Sequence, residues 1–448
     1  MTALSELLPA GGAGKVMDFV ASGTLPNGQA VVLKADGTVE VVGISSTTIA
    51  ESIPAGSEAV FNSATSKYTS VSFDPNNANK FVVAYKDDGN SGYGTAVVGT
   101  VSGTSISFGS EVVFNSGASN FISLSFDPNT AGKLVVSYAD VGNASYGTAV
   151  VGSVSGTTIS FGAEHVFNSA LSDYPLVSFD PNTANKFVVM YKDYGNANYG
   201  TAIVGTVSGT SISFGSESVF NSGSTVYISA SFDPNTAGKF VVAYRDDGNS
   251  QYGTVIVGTV SGTSISFGSE YVFNAGTTYY LAVDFDPNTA GKFVVSYRDA
   301  SNSNYGTAVV GTVSGTSITF GSEYVFYSSA ASYESIAFDP NTANKFVVTY
   351  QIAGTAYGHA SVGTVSGTSI TFGSSIQFNA GDTNFTSVSF DPNTAGKFVV
   401  VYQDSGNAGY GTAIVGQLAA TVQATNLTST NFVGITSKAI ADTATGSI

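Results

Sequence analysis

Neither cysteine nor tryptophan occurs in the 448-residue chain, and there are only two histidines, three methionines and two arginines, Arg245 and Arg298. Without cysteine no disulfide framework can form, and thiol usage says nothing of the redox compartment. Without tryptophan a dedicated sugar-stacking platform is weakened, tyrosine being the substitute. Two arginines are too few for the arginine cluster of a sialidase-like site. Charged residues make up 10% of the chain and the formal charge is −16, which excludes a phosphate-binding surface built of clustered Lys and Arg. No nucleic-acid partner is expected. No stretch is long enough to span a bilayer, and Met1 to Leu8 lacks a basic segment followed by an apolar run, so neither membrane insertion nor a secretory signal is expected. His165 and His359 each appear once, outside any nucleophile–base motif. Glycoside hydrolysis needs a distinguished pair of carboxylates, and none stands out from its repeat copies. The expectation is a non-enzymatic chain with no cofactor.

What the chain does have is repetition. Phe-Asp-Pro-Asn begins at Phe73, Phe126, Phe179, Phe232, Phe285, Phe338 and Phe390, each 53 residues after the last except the final step of 52. A fixed period of this size marks a repeat architecture. Glycine is abundant at 52 residues, and Val, Thr, Ser, Phe and Tyr fill much of the rest, which suits short strands and tight turns. One unit predicts four strands. Residues 228–232 end at an Asp-Pro-Asn turn; 240–244 and 254–260 are apolar at successive positions; 265–273 alternates and carries a charge, as an outer strand should. Small residues before the Phe (Ser72, Ser125, Ser178, Ser231, Ala337 and Ser389, with Asp284 the exception) suit inner strands crowded around an axis. Four antiparallel strands of increasing exposure describe a propeller blade.

The two ends decide between a ring and an open array. The seventh unit departs at Gln417-Leu418 without its fourth strand, while Ser52 to Asn62 reads like the fourth strand Ser105 to Asn115. The expected fold is an all-β, seven-bladed β-propeller over 44–418, with 44–62 closing the last blade. Asp36-Gly37 between two apolar runs signals a hairpin in the front segment. Residues 1–43 and 419–448 are expected to form one small β anchor module from both chain ends.

Within the seven units one face is constant and the other varies. The constant face carries Lys80, Lys133, Lys186, Lys239, Lys292, Lys345 and Lys397, each six residues after a turn Asp and expected in solvated ion pairs. On the variable face the blade-to-blade loops each offer an aromatic beside small polar groups: Tyr68, Phe121, Tyr174, Tyr227, Tyr280, Tyr333 and Phe385. These seven are the candidate binding residues, since such mixtures make adaptable surfaces and loops on a rigid scaffold carry function. Asp88, Asp193 and Asp247 join them from Asp/Gly/Asn loops that also hold Asp87, Asp140, Asp246, Asp299 and Asp404. Turn geometry accounts for those acids better than calcium does, and no metal is expected.

The repeat Phe-Asp-Pro-Asn-Thr-Ala-x-Lys-Phe-Val-Val-x-Tyr resembles arrays in virion proteins of tailed bacteriophages, especially marine ones. The flanks Ser22 to Val31 and Asn431 to Asp442 resemble modules of phage tail-fibre and related structural proteins, which usually continue beyond Ile448. The Gly-Gly of kelch blades and the Trp-Asp of WD40 blades are lacking. The resemblance implies a virion structural protein, a tail appendage or surface decoration. Its terminal module would join other virion proteins, and its variable face would contact a host surface glycan or protein, in an oligomeric particle. The alternative is a secreted or cell-surface, lectin-like adhesin binding glycans, with or without calcium.

Overall fold

A computed structural model describes residues 18–425, 432–435 and 445–447. The N-terminal start read for a signal, and flank residues 431 and 436–442, lie outside the described residues. By contacts the chain divides into two units, 1–49 with 419–448, and 50–418.

In the first unit the predicted hairpin forms: Ala30–Leu33 pairs with Val39–Val41 around Asp36, whose carboxylate caps the amide of Thr38 at 3.0 Å. Phe432–Ile435 pairs on the hairpin's other edge. Ile44–Ile49 pairs with Ala420–Thr425, so these six residues belong to the terminal unit rather than to the repeats.

The second unit is built of the repeats, all β. In the fourth copy, residues 225–232 pair with Lys239–Asp246, which pairs with Tyr252–Ser261, which pairs with the first half of Ser264–Phe285. The second strand is buried throughout its Phe-Val-Val-Ala-Tyr run because a sheet covers each face. Its Phe240 lies against Gly258 of the third strand, where an added Cβ would sit 2.2 Å from the ring. Ser264–Phe285 runs on as the first strand of the next copy, so the expected blade-to-blade loop is there the middle of one 22-residue strand. No proline interrupts it, and its ladders shift register at bulges on both sides.

Three kinds of hydrogen bond stitch neighbouring copies. On the inner edge of the first strands, serine hydroxyls of the adjacent copy accept amides in the first, second, third, fifth and seventh copies, as from Leu124 N to Ser70 Oγ at 3.1 Å and from Val283 N to Ser229 Oγ at 3.0 Å. That removes the cost of unsatisfied donors. The asparagine of each Asp-Pro-Asn turn donates to the next copy's proline carbonyl, from Asn76 to Pro128 through to Asn393 to Pro75 at 3.3 Å. The turn aspartates are buried and accept local amides, as Asp233 does from Asn235 N at 2.9 Å. The lysines therefore do not pair with them. Lys186 and Lys239 instead donate at 2.6 Å to the Gly262 and Gly315 carbonyls of Ser-Gly turns one copy on, and none of the seven forms an ion pair among the described residues.

The seventh copy takes its outer partner from the front of the chain. Ser52 and Gln417 exchange backbone hydrogen bonds at 2.8 and 2.9 Å, and Ala59 to Asn62 pairs with Gly411 to Ala413. Buried Tyr402 donates to Glu58 at 2.9 Å, as Tyr244 does to Glu270 at 2.8 Å. The charge on the outer strand is thus an acceptor for a buried phenol, not merely a mark of exposure.

Candidate functional site

Each of the seven candidate aromatics sits at a bulge of its first strand. In the fourth copy the register passes from Val226 opposite Arg245 to Ser229 opposite Ala243, leaving Tyr227 and Ile228 across from Tyr244 alone. The first bulge residue is left-handed, with φ of 51, 51, 54, 52, 47, 55 and 51° from Tyr68 to Phe385 in chain order. Glycine is the usual residue in a left-handed bulge position; a bulky side chain there costs about 1–3 kcal/mol. The chain accepts that cost seven times and always with Tyr or Phe.

The bulges bring the rings together. Their centroids follow one another at 5.1, 4.8, 5.9, 5.3, 5.2 and 5.3 Å, and Phe385 returns to Tyr68 at 5.0 Å. Successive planes turn by 45–55°. Seven equal steps around one axis turn by about 51° each, so the rings stand as a collar with planes roughly parallel to that axis. Burial pushes the Tyr68, Tyr174, Tyr227 and Tyr333 hydroxyls up from their ordinary pKa, which keeps them neutral donors. The seven rings line a cavity of about 280 Å³ together with second bulge residues, Ile122, Ile228 and Leu281 among them.

One second bulge residue is a carboxylate. Glu334 lines this cavity, is 8% exposed, and neither of its oxygens has a hydrogen-bond partner. Burial drives its carboxyl well above the usual carboxylate range, its own amide and the Arg298 charge pulling back more weakly. Sequence reasoning missed it. The available signal was a single acid in a column that otherwise reads Thr69, Ile122, Pro175, Ile228, Leu281 and Thr386.

The acidic candidates stand apart from this cavity. Asp88 pairs with Lys67 at 2.8 Å, and Asp247 with Arg245 at 2.8 Å. The Arg245 guanidinium lies over Tyr227, 5.1 Å from its centroid, so one collar ring already carries a cation. Asp193 is buried. Its carboxylate accepts Asn168 Nδ2 at 2.9 Å and Gly195 N at 2.9 Å. The same Asn-to-Asp bond recurs from Asn62 to Asp87 through Asn379 to Asp404. In the sixth copy Tyr327, Ala331 and Ile352 replace the Asn, the hydroxyl residue and the Asp together, and pack as apolar groups. Asp87, Asp193, Asp246 and Asp299 also accept the amide two residues on, so they shape their turns as expected and at the same time anchor a buried Asn–Asp network. Among the described residues no three His, Asp or Glu side chains converge to hold a metal.

Both histidines serve locally. His165 Nε2 accepts the Ile212 amide at 3.3 Å. His359 Nδ1 lies 2.8 Å from Ser375 Oγ, which accepts the Tyr350 hydroxyl at 2.6 Å where other copies use Glu. No carboxylate hydrogen-bonds this imidazole among the described residues, so the pair lacks a third group to orient it for nucleophilic chemistry.

At the far end of the first strands a second cavity is lined by Ser178, Ser231, Asp284 and Ser389. Asp284 takes the serine role: its Oδ2 accepts the Phe338 amide at 2.9 Å, and Oδ1 accepts Ser231 Oγ at 2.9 Å. Burial outweighs these bonds and raises its carboxyl to about 6. A raised carboxyl means the fold prefers the protonated form, so this contribution is complete below about pH 4 and lost as pH climbs through about 6. Asp284→Ser should remove that loss. Because Asp284 lines an open cavity, screening reduces the full effect, and the variant should gain about 1–2 kcal/mol over the parent at pH 7.5 and nothing at pH 4. Denaturant titrations at the two pH values measure the difference.

No protein-family model and no curated protein matches the chain. Solved structures do. The BP39L lectin of Burkholderia pseudomallei is similar over 84% of this chain and 99% of its own, with 11% identity and a TM-score of 0.55. Sqt1 of Chaetomium thermophilum is similar over 80% and 83%, with 14% identity and a TM-score of 0.51. Sqt1 bound to the N-terminus of ribosomal protein L10 gives 80% and 89%, with 14% identity and a TM-score of 0.50. At these identities the likeness speaks for architecture alone: the chain has an all-β, repeat-built, propeller-like fold.

Proposed function

We propose that the chain is a seven-bladed β-propeller, closed by its own front segment, that acts as a non-enzymatic recognition protein with the aromatic collar as its ligand-facing mouth. The carrying observation is the collar itself. Seven aromatics held in a backbone conformation that glycine would adopt freely represent stability given up, and such strain gathers where a surface works. Closure is supported by the exchange between Ser52 and Gln417, by Tyr402 on Glu58, and by Asn393 on Pro75.

The proposed setting is a tail appendage or surface decoration of a phage particle, with the terminal unit as its attachment to other virion proteins and the collar face turned to the host. That setting rests on the resemblance of the repeats and flanks to phage virion proteins. A second reading, a secreted or surface-exposed lectin-like adhesin, is favoured by tyrosine rings standing beside Thr69 and Thr386 at the mouth. Mass spectrometry of purified virions separates the two: the chain is expected among the structural proteins, and its consistent absence would remove the virion setting. Tyr280→Gly tests the collar. Glycine relieves the left-handed strain, so the fold should hold, while binding of the purified chain to host cells should fall.

A further inference from the structure

Glu334 presents an unsolved electrostatic problem. A carboxyl group whose two oxygens are both shut off from solvent ordinarily has a partner, because leaving a buried polar atom unpaired costs about 1–3 kcal/mol. Here both oxygens lack one. Protonation would not resolve it, since a neutral acid still offers an unpaired hydroxyl and an unpaired carbonyl. The natural counter-charge is held elsewhere: Arg298 donates to Asn304 Oδ1 from Nε at 3.0 Å and from Nη2 at 2.8 Å, and its guanidinium lies 5.5 Å from the Tyr279 ring centre. The other copies place Thr or an apolar group at this level, so the fold itself does not call for an acid.

The surroundings define what would satisfy it. Glu334 shares its cavity with the seven rings and with Ile122, Ile228 and Leu281. A second cavity of about 280 Å³ shares Glu334 and these apolar walls, so the space continues past the carboxylate. A ligand entering here passes an aromatic opening and apolar walls before it meets one negative acceptor.

We propose that the collar and Glu334 form a binding site for a primary ammonium group on an unbranched apolar stem, such as ends a lysine side chain. The stem fills the aromatic and aliphatic throat, and the Glu334 side chain, whose two unpaired oxygens are closed to solvent in the empty site, turns its carboxylate to accept the ammonium. This rests on the reading of the collar as the ligand-facing mouth. It assigns that mouth a chemical class.

The test is calorimetric titration of the full chain with n-pentylammonium, using 1-pentanol as the neutral isostere. The expected result is saturable binding of the ammonium, tighter than the alcohol by at least about 10-fold, which Glu334→Gln weakens by about 10- to 100-fold. Removing an unpaired buried carboxylate spares the fold, so E334Q should melt at or above the parent, and a lost signal is then a lost site. Ammonium binding unchanged in E334Q, ammonium and alcohol bound equally, or neither bound, each overturns the ammonium assignment. Host binding by Tyr280→Gly is read separately. If it falls as expected, the mouth stands even where the ammonium assignment fails; if it is unchanged, the mouth fails with it.

Discussion

Deleting residues 50–62 should cost more than any single substitution in the repeats, over about 5 kcal/mol, and should leave a chain that aggregates on expression. The segment supplies the partner of the last third strand, from Ser52 against Gln417 to Asn62 against Gly411. It also supplies Ile53 and Phe61, 7% and 6% exposed within two different core clusters, and Glu58, the acceptor for the buried Tyr402 hydroxyl. Losing one large buried side chain alone costs about 2–5 kcal/mol. Without the segment, the edge of Tyr410–Gln417 presents unpaired amides and carbonyls, a template for pairing between molecules. Circular dichroism and size-exclusion chromatography measure the outcome. A compact monomer that melts with the parent would mean the segment is ornamental.

Phe240→Ala, like the same change in the other copies with Phe at this place, should be among the most damaging of the simple core truncations, at about 3–5 kcal/mol. The ring is 1% exposed, packs on Phe232 at 5.1 Å and on Phe267 at 6.0 Å, and presses on Gly258. Glycine has no side chain to move into the vacated space, so the cavity cannot collapse from that side. Phe240→Leu is the control, because the second copy already carries Leu134 at this place, with the added Cβ position of Gly152 2.7 Å from it. It should cost less than about 1.5 kcal/mol. Thermal melts should separate the two by several degrees. Equal melting of both variants would contradict the packing described.

The strands were legible in the sequence because each announces itself locally. Phe-Val-Val-x-Tyr reads as buried on both faces, Asp-Pro-Asn as a turn, and the displaced fourth strand around Ile53 shows itself by alignment with its copies. The chemistry of the side chains was less legible because its partners lie far apart in sequence. Asp246 finds Asn221 from 25 residues away, and Tyr244 finds Glu270 from 26, so each read alone resembles a turn former, a core ring or a surface charge. The lysines were misread for the same reason, their acceptors lying 76 residues on at Gly209, Gly262 and Gly315. The site itself was half visible. Periodicity marks the collar aromatics but puts alternate residues on opposite faces. The bulge breaks that alternation, so Tyr333 and Glu334, adjacent in sequence, both reach the same cavity. A carboxylate one place beyond an aromatic therefore looks outward on paper and faces inward in the fold.

The most direct test of the proposed ring is a crosslink across its join. Ser52 and Gln417 exchange backbone hydrogen bonds, a pairing that sets Cα atoms about 5.5 Å apart, within disulfide reach. The chain has no other cysteine, so Ser52→Cys with Gln417→Cys can give only one intramolecular bond. A closed propeller predicts near-complete oxidation within single chains and a higher melting temperature than the reduced form. Thiols that stay free, or that link only between molecules, would contradict it.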